Sequence, residues 1–183
     1  MTLSEKWDIN QEWTLFLDRD GVINIRLVDD YVKNAEEFEF LAGVPESIAQ
    51  LSQIFKTIVV VTNQQGIGKG LMKVGDLEKI HQKMKEGVEA QGGRIDGIYF
   101  CPFLAKENSV LRKPNIGMAE LAKRDFENIQ FEKSIMVGDT KSDMQFGRNA
   151  GMKTIYVNND GIEIEPTLFD EMVSKLSDFV KRV

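Results

Sequence analysis

Short, nearly continuous apolar runs alternate along the chain with stretches whose apolar residues recur every three or four positions. The runs occupy residues 14–18, 57–62, 95–100, 134–138 and 154–157 and are rich in β-branched and aromatic residues. Strands covered on both faces read this way, so the runs predict a parallel sheet. Val44, Ile48, Leu51 and Phe55 form one helical stripe after Gly43, with Pro45 in its first turn. Leu77, Ile80, Met84 and Val88 form a second, opened near Asp76 and ended by Gly92-Gly93. Met118, Leu121, Ala122 and Phe126 give a third after Pro114, and residues 142–149 a short fourth. Leu168, Met172, Val173, Leu176, Phe179 and Val180 predict a C-terminal helix docked on the sheet. Strand-helix alternation of this kind predicts a doubly wound, three-layer α/β/α Rossmann-like fold, with residues 1–183 as one domain. The intervals 25–42 and 101–112 are too long for simple connections and are expected to wall a substrate site at the carboxyl edge of the sheet.

Composition narrows the class. The chain has 183 residues, 42% of them hydrophobic, enough for a substantial core. No apolar run approaches the ~20 residues of a membrane span, and the N-terminus lacks the apolar core of a secretory signal. Cys101 stands alone, which excludes an internal disulfide and fits a reducing compartment. A cytoplasmic monomer with no membrane partner is the expectation. The net charge of −6, with no dense Lys/Arg cluster, argues for a small polar substrate and against nucleic acid.

Candidate chemistry gathers where the runs end. Asp18 and Asp20, spaced i, i+2, emerge on one side of the first run and are followed by Gly21. Neighbouring carboxylates repel, and a bound cation relieves the repulsion; an acidic turn is the plainer alternative. The second run ends in Thr62-Asn63-Gln64-Gln65-Gly66, a hydroxyl and free amides that suit phosphate oxygens, though the spacing is neither a P-loop nor a dinucleotide fingerprint. Arg112-Lys113-Pro114 places two cations before a helix, suited to anionic groups or simply to solvent. Gly138-Asp139-Thr140-Lys141-Ser142-Asp143 ends the fourth run in a carboxylate. Asp139 is placed to share a hard cation with Asp18, and oxygen ligands suit Mg2+. Asp143 is expected to bond a metal-bound water or Lys113, or merely to favour the helix N-terminus.

Taken in order, these four stretches resemble the haloacid dehalogenase-type phosphotransferases, whose motifs are Asp-x-Asp-Gly, a Thr or Ser at a strand end, a Lys, and Gly-Asp-x-x-x-Asp. The likeness covers residues 14–157. It implies that Asp18 is a nucleophile and Asp20 a general acid and base. Mg2+ would be held by Asp18, the backbone carbonyl of Asp20 and Asp139, while Thr62, Asn63 and Lys113 would bind the transferring phosphoryl group. An acid at position 20 marks the phosphatase branch, because a leaving oxygen needs a proton and a halide does not. The intervals leave no room for a large cap domain.

A finer likeness points to the histidinol-phosphatase and heptose-bisphosphate phosphatase branch. Its bearers are Asp18-Arg-Asp-Gly-Val-Ile-Asn24, Tyr31-Val32, Glu39-Phe40, Thr62-Asn-Gln-Gln-Gly-Ile-Gly-Lys-Gly70, Asp96-Gly97, Tyr99 to Pro102 and Arg112-Lys113-Pro114. This implies D-glycero-D-manno-heptose 1,7-bisphosphate as substrate, with histidinol phosphate as the alternative and Arg112 on the non-reacting phosphate. One departure stands out. The branch carries a zinc loop with a Cys-x-His…Cys-x-Cys pattern, whereas here Phe103 replaces the His and Ser109 and Leu111 stand where the later cysteines would be. One thiol cannot close a tetrahedral site, so no zinc is expected, Cys101 is read as a small buried hydrophobe, and packing is expected to hold the loop. A catalytically silent phosphate-binding protein and a nucleic-acid 3′-phosphatase remain as competing readings.

Overall fold

The computed structural model describes residues 1–183. Six parallel strands form one sheet: β1 (Thr14–Leu17), β2 (Thr57–Asn63), β3 (Gly97–Cys101), β4 (Ser134–Gly138), β5 (Lys153–Val157) and β6 (Glu171–Val173), in the spatial order β3-β2-β1-β4-β5-β6. The helices are α1 (Leu3–Trp7), α2 (Val44–Ile54), α3 (Val74–Glu89), α4 (Gly117–Asp125), α5 (Lys141–Ala150) and α6 (Leu176–Val180).

Strand alternation explains the three layers. Leu15, Leu17, Ile58, Val60, Ile135 and Val137 join the apolar faces of α2, α3 and α6 in the larger core. Their neighbours Phe16, Val59, Val61 and Met136 point the other way, onto Met118, Ala119 and Ala122 of α4 and Phe146 of α5. Each strand thus buries both faces, at roughly 1.5–3 kcal/mol per large apolar side chain. Trp13 closes the larger core and Trp7 packs on its margin, while Cys101 lies buried in the smaller one as a free thiol. His81 is buried edge-on to Phe100, the ring centroids 6.1 Å apart. Burial, aided by the positive charge of Arg19, pushes its pKa down to about 3. No helix is long and apolar enough to cross a membrane.

The C-terminal segment departs from the expected single helix. Residues Glu171–Val173 instead extend along β5, pairing Ile155 with Glu171 and Val157 with Val173. A bare edge of β5 would leave backbone groups unpaired, and β6 satisfies them. Asp170 fixes the geometry, because its Oδ2 accepts hydrogen bonds from Thr154 N (2.8 Å) and Thr154 Oγ1 (3.1 Å). Only Leu176–Val180 keeps the helical reading. Neither long interval adds a cap domain: residues 25–42 hold one isolated bridge at Phe40, and residues 101–112 one short 3-10 turn, Ala105–Glu107.

The chain builds β2 and β3 on one side of β1, then crosses to β4, β5 and β6 on the other. The strand order therefore reverses between β1 and β4, where the carboxyl ends of such sheets open a crevice.

Candidate active site

Asp18 and Asp139 follow directly on β1 and β4, the two strands that flank the crevice. Asp18 N–H still donates to Val137 O at 2.9 Å, so its backbone is fixed by the sheet. Gly21 permits the approach of the two segments. Its φ is +88°, and a Cβ there would fall 1.8 Å from Asp139 Oδ2.

Lys113 sits beneath the carboxylates, almost wholly buried, with its Nζ between Asp18 and Asp143. It donates to Asp18 Oδ1 and Val61 O, both at 2.8 Å, and lies 2.6 Å from Asp143 Oδ1. Burial would lower its pKa, but the charges of Asp143 and Asp18 outweigh that cost and raise it. Asp143 also closes the capping box of α5: its Oδ2 accepts from Thr140 N at 3.0 Å, and Asp143 N donates back to Thr140 Oγ1 at 3.2 Å. One residue thus meets both the capping reading and the lysine-pairing reading of the sequence.

Burial pushes the Asp18 carboxyl up to about 6, with Asp143 adding and Lys113 opposing. Asp139 is pushed up to about 8, by burial first and then by the charges of Asp18 and Asp143, against Arg26 and Lys113. Carboxyl oxygens of Asp18, Asp139 and Asp143 lie within 4.8 Å of one another, and the buried Asp139 Oδ1 has no hydrogen-bond partner. Hard oxygen donors so crowded, one of them unpartnered, fit a small divalent cation such as Mg2+.

The Asp20 side chain lies apart from this cluster. Its Oδ1 accepts from Arg19 Nη2 (2.8 Å) and Asn24 Nδ2 (3.0 Å), and its Oδ2 from Gln64 Nε2 (2.8 Å). Burial would raise its pKa, but Arg19, Asn24 and Gln64 together lower it.

Thr62 is buried at the end of β2, where Gln64 Nε2 bridges its Oγ1 (2.8 Å) to Asp20. Asn63 is placed differently from a free phosphate ligand. Its Oδ1 accepts the Lys113 N–H at 3.1 Å and its Nδ2 donates to Lys113 O at 3.4 Å. Arg112 lines the cleft with a buried, unpartnered Nη1. The cleft, of about 320 Å³, is lined by the first long loop through Arg26 to Val32, by Asn63 and Gln65, and by Arg112.

Four contributors escape sequence reading: Arg19, Asn24, Arg26 and Gln64. Arg19 lies between the two motif aspartates and is fully buried, and only its single link to Asp20 explains its place. Arg26 reaches Asp139 Oδ2 at 2.5 Å. Neither carries a periodic signal, although Asn24 and Gln64 stand inside the quoted motifs.

The loop after Cys101 is held by more than the expected packing. Cys101 O accepts Gln64 N–H at 2.7 Å and Pro102 O accepts Gly68 N–H at 3.0 Å. Farther along, Asn115 Nδ2 donates to Ser109 O at 2.9 Å, and Leu111 packs on the smaller core.

Carboxylates at the ends of adjacent strands of a switch-point sheet, with a buried lysine joining Asp18 to Asp143, form the candidate site. A family model described as polynucleotide kinase 3 phosphatase matches residues 15–160. A D-glycero-alpha-D-manno-heptose-1,7-bisphosphate 7-phosphatase of Mycobacterium bovis is 41% identical over 138 residues, 75% of this chain and 73% of its own length. The D-glycero-beta-D-manno-heptose-1,7-bisphosphate 7-phosphatase of Helicobacter pylori is 38% identical over 146 residues, covering 79% and 83%. Among solved structures, the D,D-heptose 1,7-bisphosphate phosphatase of B. bronchiseptica, complexed with magnesium and phosphate, superposes with a TM-score of 0.83. Its identity is 29%, over 92% of this chain and 96% of that one. The chain belongs to the haloacid dehalogenase-like phosphatases, among relatives of the heptose-bisphosphate branch.

Proposed function

We propose that the chain, acting as one domain over residues 1–183, hydrolyses a small phosphomonoester through a phosphorylated Asp18. The observation that carries this reading is the join between Asp18 and Lys113 at 2.8 Å beside the unpartnered Asp139 Oδ1. Mg2+ fits the site: Asp18, Asp139 and the Asp20 carbonyl would hold it, and it would supply charge neutralisation at the transferring phosphoryl group. No zinc is required, since Cys101 is the single thiol of the chain.

A carboxylate oxygen of Asp18 attacks phosphorus while the bond from phosphorus to the ester oxygen breaks. Asp20 delivers a proton to that oxygen, then takes one from the water that cleaves the phosphoryl group from Asp18. In the resting site its three donors hold Asp20 ionised. The anionic phosphate of the bound substrate works against those donors and favours the protonated carboxyl. Lys113 and Thr62 meet the phosphoryl oxygens, and Asn63 serves by aiming Lys113.

The substrate is D-glycero-D-manno-heptose 1,7-bisphosphate, losing its 7-phosphate, with Arg112 taking the other phosphate through its free Nη1. Relatives of both anomeric specificities support the sugar and leave the anomer open: a Burkholderia mallei enzyme named for the alpha form is 42% identical, a Vibrio cholerae enzyme named for the beta form 40%. The protein is a cytoplasmic monomer without nucleic-acid or membrane partners. Comparing kcat/KM for heptose 1,7-bisphosphate and histidinol phosphate tests the substrate. A preference for histidinol phosphate overturns the sugar reading, and no phosphate release from a broad panel of esters overturns the enzyme.

A further inference from the structure

Arg26 occupies the place where the charge of the site is decided. It springs from the first long loop, one-third exposed, and its Nη2 holds Asp139 Oδ2 at 2.5 Å. Three buried carboxylates meet here, Asp18, Asp139 and Asp143, with Asp20 set apart on Arg19 and Asp160 acting on Arg26 from beyond. Three cations are paired with these groups: Arg19 with Asp20, Lys113 with Asp18 and Asp143, and Arg26 with Asp139.

The three are not equivalent. Arg19 and Lys113 are fully enclosed, and Lys113 has three fixed partners. All three border the cleft, but Arg26 alone of them is partly open to solvent. Its backbone is anchored just before it, where Ile25 N–H donates to Glu39 O at 2.9 Å, so the side chain can turn without moving the loop. A divalent cation among these carboxylates would draw on the same Asp139 that Arg26 holds. The guanidinium is then repelled by a double positive charge across one carboxylate.

We propose that Arg26 is a stand-in cation, parked on Asp139 until a divalent metal takes that carboxylate, and that its release supplies a second guanidinium, beside Arg112, for the remote phosphate of the substrate. The second half rests on the phosphatase reading above; the first does not. Metal binding and recognition of the remote anion thereby become coupled through one side chain. An arginine suits the task, because its planar fork pairs with carboxylate and phosphate alike.

Calorimetric titration of Mg2+ into the purified full chain, without substrate and at pH 9, tests the first half. Arg26→Gln should bind Mg2+ about tenfold more tightly than the unaltered chain, and Arg26→Lys should fall between them. Equal or weaker binding by Arg26→Gln overturns the proposal, because the guanidinium would then ignore or assist the metal carboxylate. For the second half, the ratio of kcat/KM for heptose 1,7-bisphosphate to that for p-nitrophenyl phosphate should fall about tenfold in Arg26→Gln, the usual scale of one charge-assisted phosphate contact. An unchanged ratio overturns the release toward the remote phosphate. The titration needs no turnover, so an inactive unaltered chain would sink the phosphatase reading while the metal result still judged Arg26.

Discussion

Asn63 grips the backbone of Lys113 from both sides, its Oδ1 accepting the N–H at 3.1 Å and its Nδ2 donating to the carbonyl at 3.4 Å. The pair ties the end of β2 to the segment before α4, and so fixes where the lysine stem enters the site. Replacing Asn63 by Ala removes both bonds, at about 1 kcal/mol of stability each. The larger effect falls on turnover. A misplacement of Lys113 by about 1 Å is expected to lower kcat on the order of a hundredfold. Steady-state kinetics beside urea unfolding separate the two, and a kcat within threefold of the unaltered chain would show that Lys113 needs no such guide.

Lys113 itself is the counter-charge of two buried carboxylates. Its replacement by Met strands Asp18 and Asp143, and breaking a buried pair of this kind costs about 3–5 kcal/mol. The loss should depend on pH. Without the ammonium, burial raises the Asp18 carboxyl further, so it takes up a proton more readily in the folded chain than in the unfolded one and acidification recovers stability. Urea unfolding of Lys113→Met at pH 5 and pH 8 checks this: a deficit equal at the two values would mean that packing, not charge, carries the effect.

Asp139 titrates near 8 in the folded, metal-free chain and near its ordinary value of 3.8 when unfolded. The folded state therefore holds more protons between these limits, and stability falls as pH rises from about 4 to about 8. Above that window the contribution is lost in full. Mg2+ competes with the proton for the same oxygens, so its stabilising effect should grow with pH. Thermal unfolding with and without Mg2+ at pH 5.5 and pH 8.5 measures it, and a metal-induced rise in Tm that is larger at pH 5.5 contradicts the linkage.

The two motif aspartates should fail in different ways. Asp18→Asn should abolish turnover of every ester while the fold persists, since the reacting oxygen is gone. Asp20→Asn should stop esters with poor leaving groups yet still allow slow phosphorylation of Asp18 by an activated ester. Rapid-quench detection of phosphorylated protein distinguishes them. Substantial turnover by Asp18→Asn would remove its assignment as nucleophile.

What sequence patterning could and could not reveal follows from the range of the forces involved. Phe16 and Met136 sit in apolar runs broken by a carboxylate, a local signal that places Asp18 and Asp139 at strand ends without any tertiary knowledge. Leu168, Met172, Leu176 and Phe179 also keep helical spacing, but Thr154 competes for Asp170 and the free edge of β5 recruits the next residues. A local period loses to a distant backbone there. The same holds at the site. Asn63 reads as a phosphate ligand because its partner, the Lys113 backbone, lies fifty residues away in sequence. Arg26 is silent in the sequence, since its meaning depends entirely on Asp139.

The neighbouring of β1 and β4 has a consequence for the life of the chain before it is an enzyme. The strand that presents Asp18 is made early and the strand that presents Asp139 late, yet they are direct partners, Leu17 beside Val137. A ribosome-bound fragment ending ahead of Ser134 possesses the attacking group and lacks the strand that completes the metal carboxylates. Asp18 and Asp139 come together only when the sheet is closed across its centre, so this carboxylate pair exists only once the later strand has joined the earlier one.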